Sequence, residues 1–347
     1  MTWIPLLLSD PSPSLRLLVL RELLGRDEND DEIIELRKLQ DRDPWINRLI
    51  SLQDKDGSFR GGENVSGQMG VLRWSSQALI GLSYMGLPPG HPAIKKGAEY
   101  IFSRQQDDGS WPLGWEEVLK DDKKKEDIKY HIIPLQTSLP LLGLARAGYA
   151  TDARSERAYD WLDRTALPEG GWPSGLHGDR KIMAAGYRRL AHTEYGCRTN
   201  TTAAVSAFAF HPKRKSGKKA RQGLDLLLAH EHRQAHTLGF EVARIIGIEK
   251  AGGFGTYYKR YDVGQILDIS WRMGAGIEDG RISDNVKFIK DLQGPYGLWE
   301  YPNNQEASRW VTFDLLRSLS RIDNGTDWVS FELRTGFQPY PKKSKRY

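Results

Sequence analysis

A chain of 347 residues, 39% hydrophobic and 27% charged, can bury a large core either as one repeat-built fold or as two average domains. None of its apolar runs approaches the roughly 20 residues that cross a bilayer, and one cysteine, Cys197, excludes an internal disulfide and a thiolate-rich metal cluster. The net charge of +5 is mild and partly resides in the terminal PKKSKRY, which argues against a nucleic-acid-binding surface.

The opening MTWIPLLLSDPSPS has too short an apolar stretch and no basic flank for a secretory signal, so a cytoplasmic location is expected. The first helical segment is LRLLVLRELL. NDDEIIE follows and resembles a metal-binding DDxxE, but it lies at a helix start, where acids are favoured by the dipole, and reads as a cap. Next comes LISLQDKDGSF, with Gln53, Gly57 and Phe59, and then the apolar, small-residue segment RWSSQALIGLSYMG. KGAEYIFSRQQDDGSW places Gln105, Gly109 and Trp111 at the same offsets. A charge run over residues 120–129 reads as solvated and leads into HIIPLQTSLPLLGLARAG. WLDRTALPEGGW keeps Gly170 and Trp172 with Ala166 in place of glutamine, and residues 172–196 form a long basic, aromatic loop. TNTTAAVSAFAF, the signature-free helix KARQGLDLLLAHEH and DVGQILDISWRMG come next. FIKDLQGPYGLW then repeats Gln293, Gly297 and Trp299, and RWVTFDLLRSLSRI is the last helical segment.

The recurring unit is an amphipathic helix, a glutamine, a glycine and an aromatic residue. The glycine allows a tight turn, the glutamine amide can bond backbone groups orphaned at the helix end, and the ring can stack over the next helix. Six apolar segments alternate with at least five outer helices, with no competing strand-rich region. The expectation is an all-α fold, an α/α toroid of inner and outer helices, as a single domain over residues 1–335 with a basic tail at 336–347.

This glutamine, glycine and tryptophan repeat resembles the QW motif of squalene–hopene cyclases and related triterpene cyclases, over about Pro44 to Trp299. The resemblance implies the terpenoid cyclase and protein prenyltransferase superfamily, whose α/α toroid encloses an apolar cavity for isoprenoid chains. In size the chain looks like one toroid, similar to a prenyltransferase β subunit, whereas triterpene cyclases carry two. The DxDD motif of the cyclases that protonate an alkene does not occur. In the prenyltransferases an aspartate, a cysteine and a histidine hold zinc. Cys197 stands at an inner-helix start, but Tyr195 and Gly196 occupy the place of the aspartate and Trp310 that of the histidine. No metal ligand is assigned on this basis, and a divalent metal, Mg or Zn, stays open as a cofactor.

Basic residues recur where the inner helices begin: Arg73 with Trp74, Lys129 with Tyr130, Arg198, Arg260 with Tyr261, and Arg309 with Trp310. A cation at the positive end of a helix is disfavoured by roughly 0.3–1 kcal/mol. Either acids such as Glu194, Asp262 and Glu306 offset it, or the cations and free N–H groups converge on an anion such as a diphosphate on an apolar tail. Trp74, Tyr130, Tyr257, Tyr258, Tyr261, Trp271 and Trp310 would then line the cavity and stabilise a carbocation, or else belong to the core. The acid–base candidates are Asp262, Asp268, Asp314 and the pair Glu194 and His192, whereas His131 and His211 read as structural. Asp268 and Asp314 lie mid-helix among apolar residues and must either stay protonated or pair with Arg272 or Arg317.

The function expected is an isoprenoid-processing enzyme, terpene cyclase-like or prenyltransferase-like, with a long apolar substrate in the barrel and an anionic or polar head at the basic rim. Two alternatives stand beside it. One is a non-catalytic toroid that binds an isoprenoid, a lipid or a partner. The other is a carbohydrate-active α/α barrel, which would use the eleven tryptophans but needs paired carboxylates across a cleft. A peripheral membrane contact and a partner subunit stay open.

Overall fold

Aspartate, serine and proline begin many of the helices, each aspartate or serine side chain accepting a backbone N–H that the first turn leaves free. In the computed structural model, which describes residues 3–60, 67–111, 131–177, 180–182, 188–230, 236–249, 260–302 and 304–322, Ser12, Asp30, Asp43, Asp152, Asp262 and Asp279 all cap in this way. The elements in order are α1 (Trp3–Leu8), α2 (Pro13–Leu18), α3 (Asp31–Leu39), α4 (Pro44–Ser51), α5 (Gly67–Tyr84), α6 (Pro92–Phe102), β1 (His131–Ile132) and α7 (Pro134–Leu144). They continue with α8 (Ala153–Thr165), β2 (Gly175–His177), β3 (Arg180–Ile182), α9 (Arg198–Ala209), α10 (Lys218–Leu228), α11 (Phe240–Ile245), α12 (Val263–Arg272), α13 (Gly280–Asp291) and α14 (Gln305–Ile322). A π-helical turn, Val19–Leu23, extends α2, so the segment 29–35 does hold a helix cap, Asp30.

Two kinds of helix alternate. Every residue of α7 is buried, and so is every residue of α9 after Arg198, as expected of helices packed on all sides. By contrast α8, α10 and α13 bury one stripe and face solvent with the other, which makes them the outer members. The inner helices pack in sequence order, α5 on α7, α7 on α9, α9 on α12 and α12 on α14. Two ion pairs close the ring, Arg309 with Asp10 at the start of α14 and Arg321 with Glu22 at its end, both at 3.0 Å. They set the α2 segment alongside α14 and parallel to it. The fold is an α/α toroid.

The turns show why the repeat has its residues. The amides of Gln53 and Gln105 donate to the carbonyl of the turn glycine, Gly57 or Gly109, at 3.1 and 3.0 Å. They also reach into the next outer helix, to Ala93 O and Arg154 O, at 2.9 Å in both cases. The glutamine thus ties one module to the next rather than only closing its own helix. The indole N–H of Trp111, Trp172 and Trp299 donates back to Ile101, Leu162 and Ile289 at 2.8, 2.9 and 2.7 Å. The backbone N–H of the same three tryptophans donates to Thr137, Thr201 and Thr312 on the following inner helices. Those threonines are a recurring element of the sequence that the glutamine, glycine and aromatic pattern leaves out.

Gly109 has φ of +94°, and a Cβ there would lie 2.4 Å from the Arg157 carbonyl oxygen of the neighbouring outer helix. Gly109→Ala should therefore lose at least the 1–3 kcal/mol typical of a left-handed non-glycine residue, about 1–3 kcal/mol by urea denaturation. An unchanged midpoint would refute this account of the turn.

The long loop after Trp172 is not free of strands. β2 pairs with β1 and β3 in a small antiparallel sheet, with His177 opposite both His131 and Arg180. The sequence cue is the Gly178-Asp179 spacer between two short runs, a pattern that favours a hairpin.

Candidate functional site

Asp268 on α12 and Asp314 on α14 are both buried, and α12 packs directly on α14. Arg317 bridges them: it bonds Asp314 one helical turn away and approaches Asp268 at 3.5 Å. Asp268 also takes Arg272 at 2.9 Å and has Arg146, from the end of α7, at 4.0 Å. The Tyr84 hydroxyl, at the end of α5, donates to Asp314 at 3.1 Å. Four inner helices thus bring three guanidiniums, two carboxyls and a phenol to one place.

The two carboxyls are driven apart. Burial favours the protonated form of both. At Asp268 the guanidiniums of Arg272, Arg317 and Arg146 outweigh burial and hold the carboxyl well below the usual range. At Asp314 burial prevails over Arg317, and the charge on Asp268 adds to it, so that carboxyl is raised. Two titratable groups with opposed shifts are the arrangement from which an acid and its partner base are built.

The space beside them is small. The cavity that Asp268 and Asp314 share with Tyr84, Arg146, Val242 and Ile245 has a volume of about 20 Å³. That is room for a water and not for an isoprenoid chain. This cavity alone does not accommodate the long apolar substrate expected of the barrel. The physical reason is that α11, packed on both α5 and α14, puts Val242 and Ile245 against the hub, while the arginine network fills its other end.

Asp262 also lines this cavity. Asp262 caps two helices at once, accepting from Gly264 N at 3.0 Å, Gly239 N at 3.1 Å and Glu241 N at 2.8 Å. Burial raises it to about 6 against these backbone donors, which hold its oxygens in the turns. His192 and Glu194 are exposed on the loop before α9, remote in role from the buried pair. Tyr261 is buried and donates to Leu227 O at 3.0 Å, and Trp310 is buried against Tyr84 with ring centroids 5.7 Å apart. Both are core residues. Trp74 is half-buried on α5, and Trp271 donates to Ser318 at 3.3 Å. Tyr130, Tyr257 and Tyr258 lie outside the described residues, as does Lys129. His211 is buried and bonded to Glu156 at 2.8 Å, a structural role.

The basic residues at the inner-helix starts have different surroundings. Arg73 is buried in α5, Arg198 lies 5.8 Å from the Tyr261 ring centroid, Arg260 lies 4.4 Å from that of Phe240, and Arg309 pairs with Asp10. Of these, Arg309 is offset by an acid, and Arg198 and Arg260 stand over rings. Arg309 borders a cleft of about 650 Å³ with Leu6, Leu298 and Tyr301. Arginines converge instead at the opposite end, where the inner helices finish. Arg21, Arg146, Arg272, Arg317 and Arg321 line a second opening of about 650 Å³. Cations are favoured there by the helix dipoles. The sequence carries this signal in LARAG, SWRMG and LLRSLSRI, the segment ends rather than the starts.

Among the described residues no group of three or more His, Cys, Asp or Glu side chains is placed to hold a metal ion, and no helix is long and apolar enough to cross a membrane. Cys197 is buried at the N-terminus of α9.

Comparison with known proteins bears on the same architecture. The squalene–hopene cyclase of Zymomonas mobilis is 27% identical over 150 residues, a match that takes in 43% of this chain and 21% of the cyclase's length. A solved structure of a protein from Actinoplanes is 17% identical, covers 90% of each chain and superposes with a TM-score of 0.41. A variant of the type II terpene cyclase MstE from Scytonema, solved with geranylgeranyl dihydroxybenzoate, is 12% identical over 80% of this chain and 95% of its own, with a TM-score of 0.34. The model of the squalene–hopene cyclase C-terminal domain matches residues 27–233, the stretch that contains α3 to α10, and the chain belongs to that family.

Proposed function

We propose that the chain is an isoprenoid-processing enzyme of terpene-cyclase type in which Asp314 delivers the proton. The observation that carries this reading is the split pair in the hub. Asp314 is held toward its protonated form, Asp268 is held ionised by three arginines, and the Tyr84 hydroxyl donates to Asp314 Oδ1, which leaves Oδ2 to carry the proton. A carboxylic acid in a buried site can protonate an alkene, and general acid catalysis contributes about 10²–10⁴-fold. Because the hub now has room only for a water, an alkene reaches Asp314 when Val242 and Ile245 on α11 give way. Family membership supports an isoprenoid as the substrate class, and a prenyl transfer rather than a cyclisation would use the same binding step.

A second reading is favoured by one observation, the 20 Å³ hub: a toroid that binds a partner without catalysing a reaction. A carbohydrate-active barrel is disfavoured, because Asp268 and Asp314 share one guanidinium inside the hub instead of facing each other across an open cleft.

Thermal denaturation with squalene, prenyl diphosphates and oligosaccharides separates the classes. A ligand at 100 times its Kd adds about 2.7 kcal/mol to the folded state. Stabilisation by an isoprenoid and not by the sugars is expected. No response to any isoprenoid would remove the reading.

A further inference from the structure

The opening at the ends of the inner helices is crowded with positive charge, and its nearby acids do not balance it. Glu28 takes Arg21 at 2.7 Å and also Arg37, and Asp30 takes Arg26 at 2.9 Å. The inner four, Arg146, Arg272, Arg317 and Arg321, are left with Glu22, Asp268 and Asp314, and Asp314 leans toward its neutral form. Arg146 and Arg272 both stand 4.3 Å from the centroid of the Phe210 ring. The Nε atoms of Arg146 and of Arg317, the latter only 4% exposed, are buried without a hydrogen-bond partner. Burial, with the neighbouring guanidiniums of Arg272 and Arg317, pulls Arg146 below its usual range despite the attraction of Asp268. Helix dipoles explain why cations gather at these termini, but their effect fades within a turn and satisfies no N–H group.

We propose that this opening is a binding site for a diphosphate-class anion, held by Arg321, the most exposed of the four guanidiniums, with Arg272, Arg146 and Arg317 progressively more buried. Guanidinium forks match phosphate oxygens in charge and in geometry, and several converging on one space suit an anion carrying more than one charge. The volume of about 650 Å³ exceeds a bare diphosphate, and Leu18, Leu87 and Pro88 on its wall leave an apolar side for an organic group. The anion is either the head of a prenyl diphosphate or free inorganic diphosphate. This site does not depend on proton delivery by Asp314, and it lies at the other end of the toroid from the rim of inner-helix starts.

Isothermal titration of the full chain with inorganic diphosphate and, separately, with geranylgeranyl diphosphate tests it. Arg321→Gln should weaken inorganic diphosphate about tenfold, the loss of one charge-assisted contact. Glu22→Gln, which removes the competing carboxylate, should tighten it. Both variants lie on partly exposed side chains and are checked for an unaltered circular dichroism spectrum. If the prenyl compound binds more tightly than inorganic diphosphate with the same dependence on Arg321, the ligand is a prenyl head, and equal affinities assign a free anion. No heat with either compound up to about 1 mM, or the same affinity in both variants as in the parent, overturns the site. Binding of inorganic diphosphate in a protein that ignores all isoprenoids would leave this site standing and remove the isoprenoid reading alone.

Discussion

Asp268→Asn should cost the fold about 3–5 kcal/mol, because it leaves the guanidiniums of Arg146, Arg272 and Arg317 in the hub without the carboxylate that compensates them. Part of this loss is recovered. With the neighbouring negative charge gone, Asp314 ionises more readily and takes over some of the pairing. The double variant Asp268→Asn with Asp314→Asn should therefore lose more than the two single losses added together, a coupling that a double-mutant cycle reads directly. The pH dependence follows from the sign of the shift. The folded-state pKa of Asp268 lies below the unfolded value of about 3.9, so its contribution is complete above about pH 5 and is lost as pH falls through the unfolded value toward the folded one. Asp314, shifted the other way, stabilises the fold at low pH and partly offsets the change. Urea denaturation at neutral and acid pH should show a steep acid limb in the parent and a flatter one in Asp268→Asn. A loss of less than about 1 kcal/mol, the scale of a surface ion pair, would show that the network is not the buried unit described here.

Asp314→Asn should reduce turnover of an isoprenoid about 10²–10⁴-fold while leaving the fold in place, since asparagine can still accept the Tyr84 hydroxyl and only the proton is removed. The assay is conversion of squalene and geranylgeranyl diphosphate to cyclised or transferred product, followed by gas chromatography and mass spectrometry. A parent enzyme that acts through a protonated Asp314 loses activity as pH rises through the raised pKa of that group. In Asp268→Asn this alkaline limb should move to lower pH, because the like charge that keeps Asp314 protonated is gone. Undiminished turnover in Asp314→Asn would assign proton delivery elsewhere, and a parent inactive on both substrates would favour the binding toroid.

Much of the architecture is legible in local pattern. The Gln105, Gly109 and Trp111 unit and its copy at Gln293, Gly297 and Trp299 mark turns because each residue answers a local need: a positive φ, an amide for free carbonyls, a ring to bury. Asp268 and Asp314 can be singled out for the same reason, as charges placed among apolar helix neighbours. What local pattern misses is the direction of convergence. Basic residues recur at the starts and at the ends of the inner segments alike, and a list of positions does not say which set meets. The structure sets Arg198, Arg260 and Arg309 on separate partners and gathers Arg146, Arg272, Arg317 and Arg321 at one opening. Nor does the short α11, six residues without a repeat signature, disclose that it packs on both α5 and α14 and narrows the hub.

By itself the sequence determined the repeat, the alternation of buried and half-buried helices and hence the toroid, because turn chemistry and helical periodicity act between residues close in the chain. Tertiary contacts alone fix which arginines share a space, which aspartate is pushed toward its protonated form and how small the cavity beside the pair is. Those properties depend on distances between residues such as Arg146 and Asp268, or Tyr84 and Asp314, far apart along the chain and brought together only when the ring closes.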